Sequence, residues 1–164
     1  LIELVITFPT FFLIITVVAR FKAGSIWIVM VLIGLTSWPS IARFTRGEFL
    51  RVRNMEYVAA ATALGLSNKR VIFRHVLPNS LAPVLVTSAF GIASAILTEA
   101  GLSFLGFGVP PTIVTWGSVL SDARGNLSAW WLAVFPGFAI FLSVLCYNLV
   151  GDGLRDALDP RLRD

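Results

Sequence analysis

Charge is scarce in this 164-residue chain, with 13% of residues charged against the roughly 25% of a soluble domain, while 57% are hydrophobic and the mean hydropathy is +0.85. A water-soluble domain would spread its charges over every helix. Here they are clustered, which excludes that class and makes lipid the solvent. Cysteine occurs once, at Cys146 inside an apolar stretch, so there is no disulfide framework and no cysteine-rich metal site. Histidine also occurs once, as His75 among arginines, without the partners that a metal or catalytic role needs. The phosphate-binding pattern GxxxxGK(S/T) is missing.

What the chain does have is long uncharged runs: Leu4 to Ala19, Gly24 to Ala42, Val76 to Thr98 and Gly125 to Gly151. Each is near or above the roughly 17–25 residues that cross a bilayer. They predict an all-α integral membrane protein with about four spans, at 4–19, 24–42, 78–99 and 130–150. The first run is not read as a signal peptide, because no basic region precedes it and no small-residue cleavage pattern follows. A chain that starts at Leu1, almost inside a span, is expected to be part of a longer protein.

The basic residues set the orientation. Arg43, Arg46, Arg51, Arg53, Lys69, Arg70 and Arg74 crowd the loop between the second and third spans, against Glu48 and Glu56. By the positive-inside rule that loop, 43–77, is cytoplasmic. The tail 151–164 then falls on the same side and adds Arg155, Arg161 and Arg163, leaving Arg20, Lys22 and Arg124 outside. The net charge of +4 is thus explained by membrane topology, and nucleic acid is not an expected partner.

Two loops are shaped by local chemistry. In the inner one, the Ala-rich stretch Glu56 to Leu64 predicts a helix with an acid at its N-terminus, where the dipole favours one, and Gly65 as a left-handed C-cap. Ser67 is placed to cap a second helix that runs through Val71, Ile72 and Val76 to Leu77-Pro78 and on into the third span. The outer connection, 100–129, carries Gly101, Gly106, Gly108, Pro110, Pro111 and Gly117, which predict an irregular, partly re-entrant path. Trp116, Trp130 and Trp131 fit an interfacial aromatic belt at that edge. The stretch 151–164 predicts either a short helix that Asp152 can cap, with Arg155 and Asp159 one turn apart and Pro160 ending it, packed under the bundle, or a solvated tail.

Residues 56–79, EYVAAATALGLSNKRVIFRHVLPN, resemble the signature cytoplasmic loop of bacterial ABC importer permeases, with Ala60, Ala61, Gly65, Leu77 and Pro78 in register. Ala59 stands where the family usually carries Glu, and Glu56 offers a similar charge one turn earlier. His75 fits the peptide-transporter branch, whose version is similar to RHVLPN (74–79). TEAGLSFLGFGVPP (98–111) with Trp116-Gly117, FPGFAIFLSVLCYNLVGDGLRDALDPRLR (135–163) and SWPSIAR (37–43) resemble the same branch. The family indicated is the dipeptide/oligopeptide/nickel permeases, in the C-type rather than the B-type subunit.

The resemblance implies a type I ABC importer transmembrane core in a bacterial or archaeal cytoplasmic membrane, importing peptides or nickel by alternating access. It implies a B-type permease partner, two ATP-binding subunits that hold ATP and Mg, and an outer solute-binding protein. No cofactor is expected in this chain, and it is not expected to be an enzyme. Coupling to the ATPase would fall to Glu56, Ala59, Ala60, Ala61, Gly65, Leu77 and Pro78. Glu99, an acid at the outer end of the third span, is a candidate for the translocation path, or else a structural partner for Arg124 or for backbone N–H groups of the glycine loop.

Functions from other classes fit less well. A serine intramembrane protease needs Ser and His facing each other in the membrane, but Ser103 and His75 fall toward opposite sides. An aspartyl protease needs two intramembrane acids, and Asp122 and Asp152 are likewise at opposite ends. A passive channel would conduct without ATPase subunits.

The topology is testable by single-cysteine labelling of the permease in a Cys146→Ser background. Asn68→Cys is expected to react only from the cytoplasmic side, and labelling exclusively from outside would reverse the assignment.

Overall fold

The computed structural model describes residues 9–21 and 25–158. Among these the regular structure is entirely helical: α1 (Thr10–Phe21), α2 (Ile26–Arg53), α3 (Glu56–Ala63), α4 (Asn68–Val71), a π turn (Ile72–Val76), α5 (Leu77–Phe104), α6 (Trp116–Gly125) and α7 (Trp131–Leu158). Three helical stretches are long and apolar enough to cross a membrane: α2, the continuous run from Asn68 to Phe104, and α7. They carry the second, third and fourth expected spans. The first corresponds to the shorter α1, and residues 4–8 of that expectation lie outside the described residues.

Each long helix outruns its apolar stretch. Beyond Ala42, where the apolar run ends, α2 continues to Arg53 as one helix, because arginine and glutamate are good helix formers and only the lipid, not the backbone, objects to their charge. At its start Ser25 accepts the Trp27 N–H at 3.3 Å. The expected short C-terminal helix is not an element of its own. Residues 151–158 complete α7, so Asp152 sits inside a helix rather than capping one, and Asp159 and Pro160 lie outside the described residues.

The cause lies in tertiary packing. Gly151 is buried against the Phe90 ring of α5, which lies 3.0–3.3 Å from where a Cβ would stand, so this glycine serves contact between helices instead of ending one.

Interior prolines mark all three long helices: Pro39, Pro83 and Pro136. Pro78, in the first turn of α5, has a sharper effect. With no N–H for the Arg74 carbonyl, the ladder relaxes just before it into a π turn, closed by the Leu77 N–H on the Ile72 carbonyl five residues back. The Asn79 side chain reinforces the turn by donating to the His75 carbonyl at 2.7 Å.

The central element is α5, which packs on α2, α6 and α7, while α1 packs on α2. Its buried positions are mostly small: Ser80, Ala89, Ala93, Ala100 and Ser103, beside Val86 and Leu102. Small side chains let helix backbones approach closely where lipid gives no hydrophobic drive for association.

Two apolar clusters lie at opposite ends. Ile14, Val18, Val29 and Leu102 join α1, α2 and α5 at one end, and Val52, Val58, Ala61, Val71 and Val76 form the other. Val76 and Leu102 are about 39 Å apart along the helix axis at 1.5 Å per residue.

The tightest approach is α6 on α5. A Cβ at Gly117 would stand 2.5 Å from the Ala100 carbonyl oxygen and 2.7 Å from Ser103 Cβ. Gly117→Val in the full permease is therefore expected to cost about 1–3 kcal/mol through overpacking against backbone that cannot yield. Gly34→Ala, a helical position with nothing within 4 Å of the new methyl, should leave stability unchanged or slightly raised. Thermal unfolding of the solubilised permease would compare the two, and an unshifted midpoint for Gly117→Val would contradict the packing described.

Candidate functional site

The sequence-selected residues form two groups at the two ends of the Asn68–Phe104 helix, and the structure does not bring them together. Glu56, Ala59, Ala60, Ala61, Gly65, Leu77 and Pro78 belong to an elbow at one end. Glu99 belongs to a cap at the other.

The elbow is built as its sequence predicts. Glu56 opens α3 in its first turn, exposed. Gly65 has φ +77°, and the chain around it makes a complete Schellman stop: the Gly65 N–H donates to the Thr62 carbonyl at 3.0 Å and the Leu66 N–H to Ala61 at 3.3 Å. Leu66 closes the motif by packing on the cluster that contains Ala61. No atom lies within 4 Å of a Cβ built on Gly65, so its requirement for glycine is conformational rather than steric. Ser67 does precede α4 as its N-cap residue, but its side chain makes no capping hydrogen bond.

The elbow has its own core. Val52 from the end of α2, Val58 and Ala61 from α3, Val71 from α4 and Val76 from the π turn bury against one another, with Phe49 and Leu66 alongside. Hence Ala61 faces inward and acts through packing, whereas Ala59, Ala60 and Ala63 are exposed on the outer side of α3. Leu77 is half-buried and Pro78 exposed where the elbow enters α5. Tyr57 Oη reaches the His75 carbonyl at 3.5 Å, linking α3 to the π turn.

Sequence reasoning missed Leu64, which is 81% exposed at the tip beside Gly65. Its signal was an apolar residue immediately before the left-handed stop, where the polypeptide turns away and leaves the side chain uncovered. Among the described residues the one ion pair is Arg51 with Glu48, at 2.8 Å. Arg53, Lys69, Arg70 and Arg74 remain exposed around the elbow as a field of positive charge.

At the other end, α5 stops at a second Schellman motif. Gly106 has φ +84°, its N–H donates to Ser103 at 3.0 Å, and the Phe107 N–H donates to Leu102 at 2.8 Å. Gly101, read as a breaker, lies within α5, and Gly117 within α6. The outer connection is therefore irregular over 105–115 and again over 126–130, and between them it forms a helix that composition alone did not announce. Thr115 and Ser118 cap that helix reciprocally: the Ser118 N–H donates to Thr115 Oγ1 at 3.2 Å and the Thr115 N–H to Ser118 Oγ at 2.9 Å. Trp116, Trp130 and Trp131 are all exposed around this end, the last two edge-on with ring centroids 6.0 Å apart.

Glu99 is half-buried and accepts the Ser103 hydroxyl at 2.6 Å. Arg124, its expected partner in the structural alternative, is committed elsewhere. It donates to the Phe104 carbonyl at 3.2 Å and lies 5.3 Å over the Phe104 ring, satisfying the C-terminus of α5. The glycine loop does reach Glu99, though indirectly, since the Val109 N–H bonds to Ser103 Oγ at 3.4 Å.

Comparison with known proteins identifies the family. The family model described as binding-protein-dependent transport system inner membrane component matches residues 1–164. A Brucella suis protein named for a peptide transport system permease is 53% identical over 136 residues, covering 81% of this chain and 46% of its own length. The dipeptide transport system permease protein DppC of Alkalihalophilus pseudofirmus is 42% identical over 162 residues, 98% of this chain and 53% of its own. A Brucella ovis protein named for a peptide permease is 45% identical over 156 residues, 93% and 51% respectively. The chain spans about half the length of these curated relatives. With the model matched from end to end and an all-helical membrane architecture beneath it, this chain belongs to the family of binding-protein-dependent transport system inner membrane components.

Proposed function

We propose that this chain is part of the C-type permease subunit of an ATP-driven importer of dipeptides or oligopeptides in a bacterial or archaeal cytoplasmic membrane. Nickel is the alternative cargo within the same branch. The subunit forms half of the translocation path beside a B-type permease. Two ATP-binding subunits dock from the cytoplasm and hold ATP and Mg, and an outer solute-binding protein delivers the cargo. The names of the relatives favour peptides.

One observation carries the coupling role: the elbow is a self-packed unit with a buried core of its own. Its helix α3 buries Val58 and Ala61 there and exposes Glu56, Ala59, Ala60 and Ala63, with Tyr57 and Leu64 as the large side chains left uncovered. Small exposed side chains permit close approach to a partner groove, and the Schellman stop at Gly65 fixes the angle at which α3 is presented. The elbow's core, reaching from Val52 to Val76, ties that angle to α2 and α5. Motion imposed on α3 is therefore passed to two spans. Leu77 and Pro78 lie at the junction where this motion enters α5, and Glu56 supplies charge at the near end of the docking helix.

At the outer end, Glu99 offers its second carboxylate oxygen to the path, suited to a cationic group such as a peptide's amino terminus, while the first is held by Ser103.

Gly65→Val tests the coupling role, because a side chain with a Cβ at φ +77° costs about 1–2 kcal/mol and re-aims α3. In the reconstituted complex, substrate-stimulated ATP hydrolysis and uptake are expected to be lost, with insertion and cargo binding by the outer protein retained. Normal hydrolysis and uptake would place coupling elsewhere. Glu99→Gln is expected to lower uptake while the complex still assembles, and unchanged uptake would remove Glu99 from the path.

A further inference from the structure

The hydroxyls of α5 that form hydrogen bonds follow one habit, with one exception. Thr87, Ser88 and Thr98 donate back to the carbonyls of Pro83, Val84 and Ser94, four residues earlier, at 2.8–2.9 Å, and Ser80 donates to Leu77 at 3.0 Å. Such bonds need no second element. Ser103 breaks the pattern. Only 5% exposed, it spends its proton on Glu99 Oε1 at 2.6 Å and turns its oxygen to the Val109 N–H at 3.4 Å. A carboxylate acceptor makes this the strongest side-chain hydrogen bond on the helix. With its one proton pointed at Glu99, the hydroxyl presents a lone pair to the loop.

The surrounding backbone is shaped to reach it. A Cβ on Gly108 would overlap Ser103 Oγ and come within 2.6 Å of Ser103 Cβ, and one on Gly117 would come within 2.7 Å of the same Cβ. Both glycines are buried. The loop thus closes on Ser103, and the start of α6 on the Ala100 backbone and Ser103 together, each admitted by the absence of a methyl group.

We propose that Ser103 is a positioning residue for transport: it transmits the fixed position of the Glu99 carboxylate to the Val109 amide, locking loop 105–111 and α6 to the end of α5. The outer cap then moves with α5 as one body. In the transport step this extends the reading above, on which only the uptake measurement depends.

Hydrogen exchange of the full importer complex in lipid nanodiscs tests the relay directly. Ser103→Ala is expected to speed exchange in loop 105–111 by on the order of fivefold, the worth of one net hydrogen bond, with the elbow at 56–71 unchanged. Glu99→Ala should loosen the loop equally, as it leaves the hydroxyl without its anchor. Glu99→Gln keeps an acceptor oxygen and should keep the loop protected. The double variant Glu99→Ala/Ser103→Ala should exchange no faster than either single one, because both act through one relay, whereas two merely structural losses would multiply.

Unchanged loop exchange in Ser103→Ala, or multiplying effects in the double variant, overturns the relay. These measurements read the loop whether or not the complex imports peptides. Where it does, uptake should fall in Ser103→Ala with the complex intact, and full uptake with a loosened loop overturns the role in transport.

Discussion

In hydrocarbon no peptide group can go without a partner, so where helices are allowed to end decides everything else about this chain. Its central helical run, Asn68 to Phe104, is bracketed by two left-handed glycines, Gly65 before it and Gly106 after it. Each ends a helix by the same pair of backbone hydrogen bonds, and each leaves an irregular segment at an end of the rod. Everything distinctive about the molecule is attached at these two places. The elbow is built around the first, and the outer cap around the second.

Between the two ends the chain is less committed. The faces of α2, α5 and α7 are mostly uncovered by the chain itself, and the few buried side chains of α5 are largely Ala and Ser. That is how a helix bundle in lipid coheres, by close approach at small residues, and it leaves broad apolar surfaces uncovered by the described residues. The order in the structure is accordingly concentrated at the membrane edges, where hydrogen bonds and charges have partners to choose between.

The parts legible in the sequence were those that depend on near neighbours. An Ala-rich run meeting Gly65 announces a helix and its stop, and the continuation from Asn68 into the third span needs only helix-compatible residues. Hydropathy located three long apolar helices but not where those helices end, since Arg43 to Arg53 are unwelcome in lipid and perfectly acceptable in a helix. Gly151 misled for a different reason: its missing side chain answers to Phe90, more than sixty residues earlier, and nothing local reveals that. The Glu99–Ser103 pair was visible as a one-turn spacing, yet the partner sought for Glu99 was Arg124. The preference of a guanidinium for the bare carbonyls at the end of α5 emerged only with α6 in place. The capping pattern that founds α6 lacks the usual Glu or Gln, which is why a loop rich in Gly and Pro hid a helix.

The π turn just before Pro78 has a mechanical meaning of its own. It sets one wide turn at the base of α5, where Val76 packs into the elbow's core. From Val76 to Leu102 the lever arm is about 39 Å, so a swing of roughly 5° at that turn displaces the outer end by some 3 Å, about the width of a hydrogen bond. A molecule with such proportions needs no large movement at its base to make or break contacts at its far end.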